Sequence, residues 1–380
     1  MRISKLRDFL VEQYFIMNRE GGEERAPILI LGGQGLGKTV AIKSAAQMIA
    51  QKLGKVFVEY NERGTEPPNE LIDNYSKYFV FVSLPLHSIE PVDLTGLLRV
   101  SGNMSCYIPP SWAQVLSRCA GLLFLDDYLD VPRPDIKAAS HRVFGERTVG
   151  FTKLHPEVMI LAASNTAKYS SLSEPLPNPL LNKLIVIEVE PPTVDEWANY
   201  MFRQYGDRWD KRVYLFLKAH EDEMYIFRPP KETATFTPHP TPRSWTKVAR
   251  QLYLKPETET EEILRGCIGE EMGVRLLNFL SANVDLSELI AQPKKFHELD
   301  INAKYVALHL LASGYEGKAH KRYSPLLREI AADSMEFIVL LFMIMNRNRR
   351  EQFATNCSKI DPDIYQRLSK GLEIIRQEVA

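Results

Sequence analysis

Five short apolar runs rise out of polar sequence at residues 28–31, 79–84, 122–125, 158–163 and 184–189. Most of them lack polar alternation, which is the pattern of strands buried on both faces. The segments between them carry a helical period instead. Ile42, Ala45, Ala46, Ile49 and Leu53 recur at helical spacing and stop before Gly54, a residue suited to a helix C-terminus. Strand patterns alternating with helical ones predict an α/β fold on a five-stranded parallel sheet. In such sheets ligands bind beyond the carboxyl ends of the strands, so the residues just after each run are where chemistry is to be sought.

Outside that core the pattern is helical. Leu6, Phe9, Leu10 and Tyr14 mark an amphipathic N-terminal helix, and Asp8 and Glu12 within it argue against a signal peptide. Residues 54–78, which include Arg63, Gly64, Pro67 and Pro68, read as a surface insertion. With 380 residues, 45% of them hydrophobic, the chain exceeds a single core and is expected to form two or three domains. The expected division is an α/β domain over 1–190, a helical portion over 191–285 and a C-terminal helical region over 286–380. That last region has helical patterns at 305–311, 326–345 and 365–379. Arg347, Arg349 and Arg350 suit a helix C-terminal cap better than a nucleic-acid site. The apolar run 337–345 falls far short of the roughly 20 residues that span a bilayer, so a buried helix and no membrane partner are expected.

Charge and cysteine usage narrow the classes. The 47 basic and 48 acidic side chains nearly cancel, so no net field draws the protein toward nucleic acid, and any such contact is local. Cys106, Cys119, Cys267 and Cys357 form no CxxC pair, and the eight histidines have no metal-ligand spacing. This argues against structural zinc and disulfides and suits a reducing, cytoplasmic setting.

Three of the run ends carry candidate chemistry. The first reads Gly32-Gly33-Gln34-Gly35-Leu36-Gly37-Lys38-Thr39 and leads through Val40 into a helix, the context a phosphate-binding P-loop requires. Glycines let consecutive backbone N–H groups curl around phosphate oxygens, and the helix N-terminus adds partial positive charge. The pattern predicts ATP with Mg2+, Lys38 reaching the β and γ phosphates and Thr39 coordinating the metal. The third run ends in Asp126-Asp127, with Asp126 placed to hold magnesium and Asp127 to orient the attacking water, unless the two acids cap the next helix. Asn165 ends the fourth run, where an amide can sense the γ-phosphate or simply make a turn.

The order of these motifs resembles the AAA+ ATPases, and within them the MoxR-like, dynein-related branch. The resemblance spans roughly residues 25–285. Pro91-Val92-Asp93-Leu94-Thr95-Gly96 is similar to that branch's PxDLxG segment, and Phe124-Leu125-Asp126-Asp127 stands where the family has a Leu-Asp-Glu ending. Gly145-Glu146-Arg147-Thr148-Val149-Gly150 resembles the basic turn and hairpin before the sensor-1 strand, which ends here at Ser164-Asn165. Thr241-Pro242-Arg243-Ser244-Trp245 resembles the sensor-2 motif that opens a lid helix. The resemblance implies a helical lid over 191–285 and makes Arg243 a γ-phosphate contact, a task suited to a planar, permanently charged fork. The plainer alternative is a surface arginine. Tyr107, with Pro109, Pro110 and Trp112, lies where such rings face a central pore, so it either grips substrate or packs locally.

Two departures bear on rate. Asp127 is one methylene shorter than the family's glutamate, and Lys183 stands where an arginine completes the neighbouring subunit's site. Lys183 keeps the charge and loses the bidentate fork. Arg142, Arg147 or a partner chain are the alternatives for that trans cation. The leading reading is a homo-oligomeric ring, a hexamer, that hydrolyses ATP to remodel or assemble a protein partner, with a von Willebrand A-type protein as the first to look for. The others are a nucleotide-gated binding module that hydrolyses little, and a DNA-directed accessory ATPase, which the charge balance does not favour.

Overall fold

The computed structural model describes residues 1–19, 25–60, 69–101, 103–165, 176, 178–229, 237–254 and 260–379. The chain divides into two compact units, Met1–Pro191 with Pro230–Thr235, and Pro192–Pro229 with Phe236–Ala380.

Among the described residues the first unit carries ten strands: β1 (Ile28–Leu31), β2 (Val56–Glu59), β3 (Tyr78–Pro85), β4 (Leu97–Ser101), β5 (Met104–Ile108), β6 (Ala120–Asp126), β7 (Thr148–Val149), β8 (Thr152–Lys153), β9 (Val158–Ser164) and β10 (Ile185–Glu188). Six of them form one parallel sheet in the order β10-β1-β9-β6-β3-β2. Every residue of β9 is buried, as is nearly all of β6, while β10 alternates between half-buried and exposed positions. Each predicted run became a strand, and the sheet has six strands where five were expected. The sixth, β2, lies in the stretch read as an insertion. Val56 and Glu59 are exposed on this edge strand, so it needs no continuous apolar run and offered none to detect. Residues 61–68 of that stretch, including Arg63, Gly64, Pro67 and Pro68, lie outside the described residues.

Helix Ile3–Arg19 buries Ile3, Leu6, Leu10, Val11 and Tyr14 and packs on helix Lys38–Lys52. The latter ends as its sequence predicts, with Gly54 just past the C-cap at φ 66°. Two antiparallel hairpins project from this unit. One pairs β4 with β5, and the other pairs β7 with β8, where the resemblance placed a hairpin.

The second unit is helical. Helix Pro242–Leu254 starts as a designed N-terminus does: Pro242 takes the first turn, and the Thr241 hydroxyl accepts from Ser244 N–H at 3.1 Å. Trp245 is fully buried and donates to the Tyr225 carbonyl at 2.8 Å. The pattern over 326–345 is two helices, His320–Asp333 and Met335–Ile344, because Ser334 breaks the run and caps the second through Glu336 N–H at 3.2 Å. Arg350 caps the C-terminus of Met335–Ile344, donating to the Met343 carbonyl at 2.5 Å and the Met345 carbonyl at 2.8 Å. Within the arginine cluster Arg350 thus fills the expected capping role, whereas Arg347 pairs with Glu351 at 3.3 Å. Among the described residues no helix is long and apolar enough to cross a membrane.

Candidate nucleotide-binding site

The loop between β1 and helix Lys38–Lys52 turns on glycines. Gly37 is the N-cap at φ 99°, a left-handed geometry that side chains resist. Gly32 lies so close to Val189 that a Cβ would fall 2.6 Å from its Cγ2. The first turn of the helix carries no acidic residue to compete for an anion. The Lys38 ammonium folds back over the loop, donating to the carbonyls of Gly32 at 2.8 Å and Gly33 at 2.9 Å. Leu36 is buried and anchors the loop, whereas Val40 is exposed.

Lys38 also donates to Oδ1 of Asn165 at 3.3 Å, which joins the tip of β9 to the loop. Asn165 is only 5% exposed, and its Nδ2 donates to Oδ2 of Asp130 at 2.9 Å. The Ser164 hydroxyl donates to the same oxygen at 3.3 Å and accepts from Leu129 N–H at 3.0 Å. Asp130 therefore fixes which end of the Asn165 amide faces the lysine.

At the end of β6, Oδ2 of Asp126 accepts from the Thr39 hydroxyl at 3.3 Å, and Oδ1 accepts from Asp127 N–H at 3.1 Å. Burial, and then the neighbouring Asp127 charge, hold the Asp126 carboxyl above the ordinary aspartate range. A hydroxyl and a carboxylate meeting at one point form a hard-oxygen donor set, and the carboxylate lacks a cation strong enough to offset its burial. Both observations fit magnesium.

Asp127 adopts φ 57°, the left-handed region a non-glycine residue seldom occupies. Its Oδ2 lies 2.9 Å from Nδ1 of His87, in the turn Leu86–Ser88 that follows β3. Sequence reasoning named neither His87 nor Asp130. His87 does lie just past an apolar run, the zone in which chemistry was to be sought. Asp130 had no signal, because its partners are more than thirty residues away.

Two hydrogen bonds, Lys38 to Asn165 and Thr39 to Asp126, thus bring the predicted residues together in pairs, with Lys38 and Thr39 consecutive in the chain and Asp127 adjoining Asp126. Lys183 is exposed beyond the short helix Asn178–Leu181, and Arg142 pairs with Glu146 at 3.4 Å. Arg147 is corrected as a candidate for the trans position. Burial lowers its pKa to about 10, and its guanidinium donates to the carbonyls of His155 (3.3 Å), Pro156 (3.3 Å) and Val158 (2.6 Å). It is committed to holding the entry to β9. Arg243 belongs to the second unit, exposed on the first turn of Pro242–Leu254.

Fold and site together define a P-loop α/β protein. No protein-family model matches the chain, and no curated protein matches it. Among solved structures it is similar to the E. coli MS115-1 HORMA:CdnC:Trip13 complex, at 14% identity and a TM-score of 0.35, covering 74% of this chain and 87% of that one. It is similar also to C. elegans PCH-2, at 14% identity and a TM-score of 0.29, covering 74% of this chain and 63% of that one. A third likeness is to the Aeropyrum pernix ORC2 protein in ADPNP-ADP complexes, at 12% identity and a TM-score of 0.39, covering 86% and 84%. Likenesses of that size carry no argument about what this chain does.

Proposed function

We propose that this chain binds ATP with magnesium and hydrolyses it, as an AAA+ ATPase of MoxR-like type that assembles into a ring and remodels or helps assemble a protein partner. One observation carries the reading: Lys38 bonds Asn165 and the adjacent Thr39 bonds Asp126 at the carboxyl ends of β1, β6 and β9, which are neighbours in the sheet. In this reading the loop amides of 33–37 and the Lys38 ammonium grip the phosphates. Thr39 and Asp126 hold magnesium, which supplies charge neutralisation at the β and γ oxygens. Asn165, oriented by Asp130, and Asp127 position the attacking water. Arg243 contacts the γ-phosphate from a lid over 191–285. Lys183 or Arg142 serves the adjacent protomer's site, and residues 286–380 form a separate helical region. A von Willebrand A-type protein is the partner to test first, in a cytoplasmic setting that the four free cysteines suit.

Binding of labelled ATP, multiple-turnover hydrolysis and particle sizing with and without ATP test the proposal on the full chain. Lys38→Ala abolishing binding, with ATP-dependent assembly in the parent protein, is the expected result. Unchanged binding in Lys38→Ala overturns it.

A second reading, a nucleotide-gated binding module with slow turnover, is favoured by Asp127, which is short, backbone-constrained and engaged by His87. Single-turnover hydrolysis separates the two.

A further inference from the structure

In the second unit, helices Pro242–Leu254 and Thr260–Ile268 border an open groove of about 500 Å³. Its floor is Ile263, Gly266 and Cys267, and nothing lies within 4 Å of where a Cβ on Gly266 would be. Lys247 and Arg250 rise along one side, three residues apart on the same helix, and among the described residues no carboxylate lines the groove. Neither cation pairs with a carboxylate among the described residues, in contrast to Arg265 on the facing helix, which is held by Glu261 and Glu270. Arg250 is fixed in place: its guanidinium donates to the Arg208 carbonyl and lies 5.0 Å from the Tyr205 ring centroid and 6.0 Å from that of Tyr253. Tyr253 is 44% exposed.

We infer that this groove binds a single-stranded nucleic acid, its phosphates on Lys247 and Arg250 and its bases on the Tyr205 ring in the groove and the Tyr253 ring at its edge. Two features favour this occupant. Neighbouring cations that make no ion pair among the described residues attract a chain of phosphates. The rings of Tyr205 and Tyr253 beside Arg250 give stacking surfaces that every base can use, whereas an acidic peptide would leave them idle. The near-zero net charge of the whole chain is no obstacle, since the attraction is local and acts within about a Debye length.

The test is fluorescence anisotropy of the full chain with labelled oligothymidylate and oligouridylate of about 20 nucleotides, long enough for a binding site of this class. Affinity should fall linearly with the logarithm of salt, at a slope of about 0.7 per phosphate contact. Lys247→Glu combined with Arg250→Glu should weaken binding about tenfold or more and flatten the slope by about 1.4. Lys247→Gln alone, at an exposed position, should give a smaller loss without any folding penalty, and Arg322→Glu, exposed on helix His320–Asp333 and outside the groove's lining, should change nothing. A preference for one oligomer over the other identifies DNA or RNA as the source. The inference is overturned if neither oligomer binds below about 100 µM in low salt. It is equally overturned if the double variant binds as the parent does, or if oligoglutamate competes as well as oligothymidylate.

Discussion

The mouth of the central sheet and the two hairpins beside it are built on opposite plans. At the mouth, Lys38, Asn165, Asp130 and Ser164 are bound to one another and largely buried, so each donor and acceptor has a set direction. On the hairpins, Leu98 (57%), Val100 (71%) and Phe151 (81%) stand exposed, and Tyr107 touches Phe151 with ring centroids 5.5 Å apart. Chemistry at a phosphate demands fixed geometry, where a displacement of about 1 Å can cost about 10²-fold in rate. A surface that must accept varied partners has no such demand. Under the proposed function, turnover belongs to the first region and grip on a protein substrate to the second, with Tyr107 in the gripping role.

Substitutions can break that assignment. The largest effect is expected at Lys38→Ala, which should lower the hydrolysis rate about 10²- to 10³-fold, the usual loss for one preorganised charge-stabilising donor, in a steady-state phosphate-release assay. Phe124→Ala, in the fully buried stretch of β6, should cost about 3–5 kcal/mol of stability by urea denaturation, while Tyr107→Ser with Phe151→Ser should stay within about 0.5 kcal/mol. The double serine variant should keep its hydrolysis rate and lose remodelling; intact remodelling would remove the hairpins from the mechanism. Asp130→Ala should slow hydrolysis about 10²-fold and leave ATP affinity nearly unchanged, because it orients Asn165 without touching nucleotide. A fall in affinity equal to the fall in rate would make it a merely structural residue.

The smallest effect is a pH dependence. Burial raises the folded-state pKa of Asp126, so between the ordinary aspartate range and that raised value the folded state holds more protons than the unfolded one. Stability from this group is then present at low pH and declines as pH rises through that window. Asp126→Asn should flatten the decline, giving a higher thermal midpoint than the parent at neutral pH without magnesium and no such gain in acid. Parallel profiles would show that the carboxylate is already compensated.

The sequence exposed the centre of the sheet far better than its margins. β6 and β9 are buried on both faces, so they appear as unbroken apolar runs, and Lys38, Thr39, Asp126 and Asn165 could be placed by their order after those runs. β2 pairs only with β3 and keeps two exposed ends, so Val56–Glu59 looked like insertion. The hairpin of β4 and β5 has no signal in the apolar runs, since its apolar side chains face outward and mimic no core pattern. His87 and Asp130 are single polar residues in turns, and only the tertiary approach of separate strands gives them partners. Arg147 went the other way: its basic character suggested reach across an interface, while its burial against three carbonyls shows a brace.

The ammonium of Lys38 works as a tripod. Its legs stand on two carbonyls of its own loop and on the amide at the tip of β9. Three acceptors grouped around a single nitrogen match a tetrahedral head with three hydrogens and mismatch a flat guanidinium, so a phosphate gripped by Lys38 has to take over one of these legs, an exchange that a freely turning ammonium makes more readily than a planar fork.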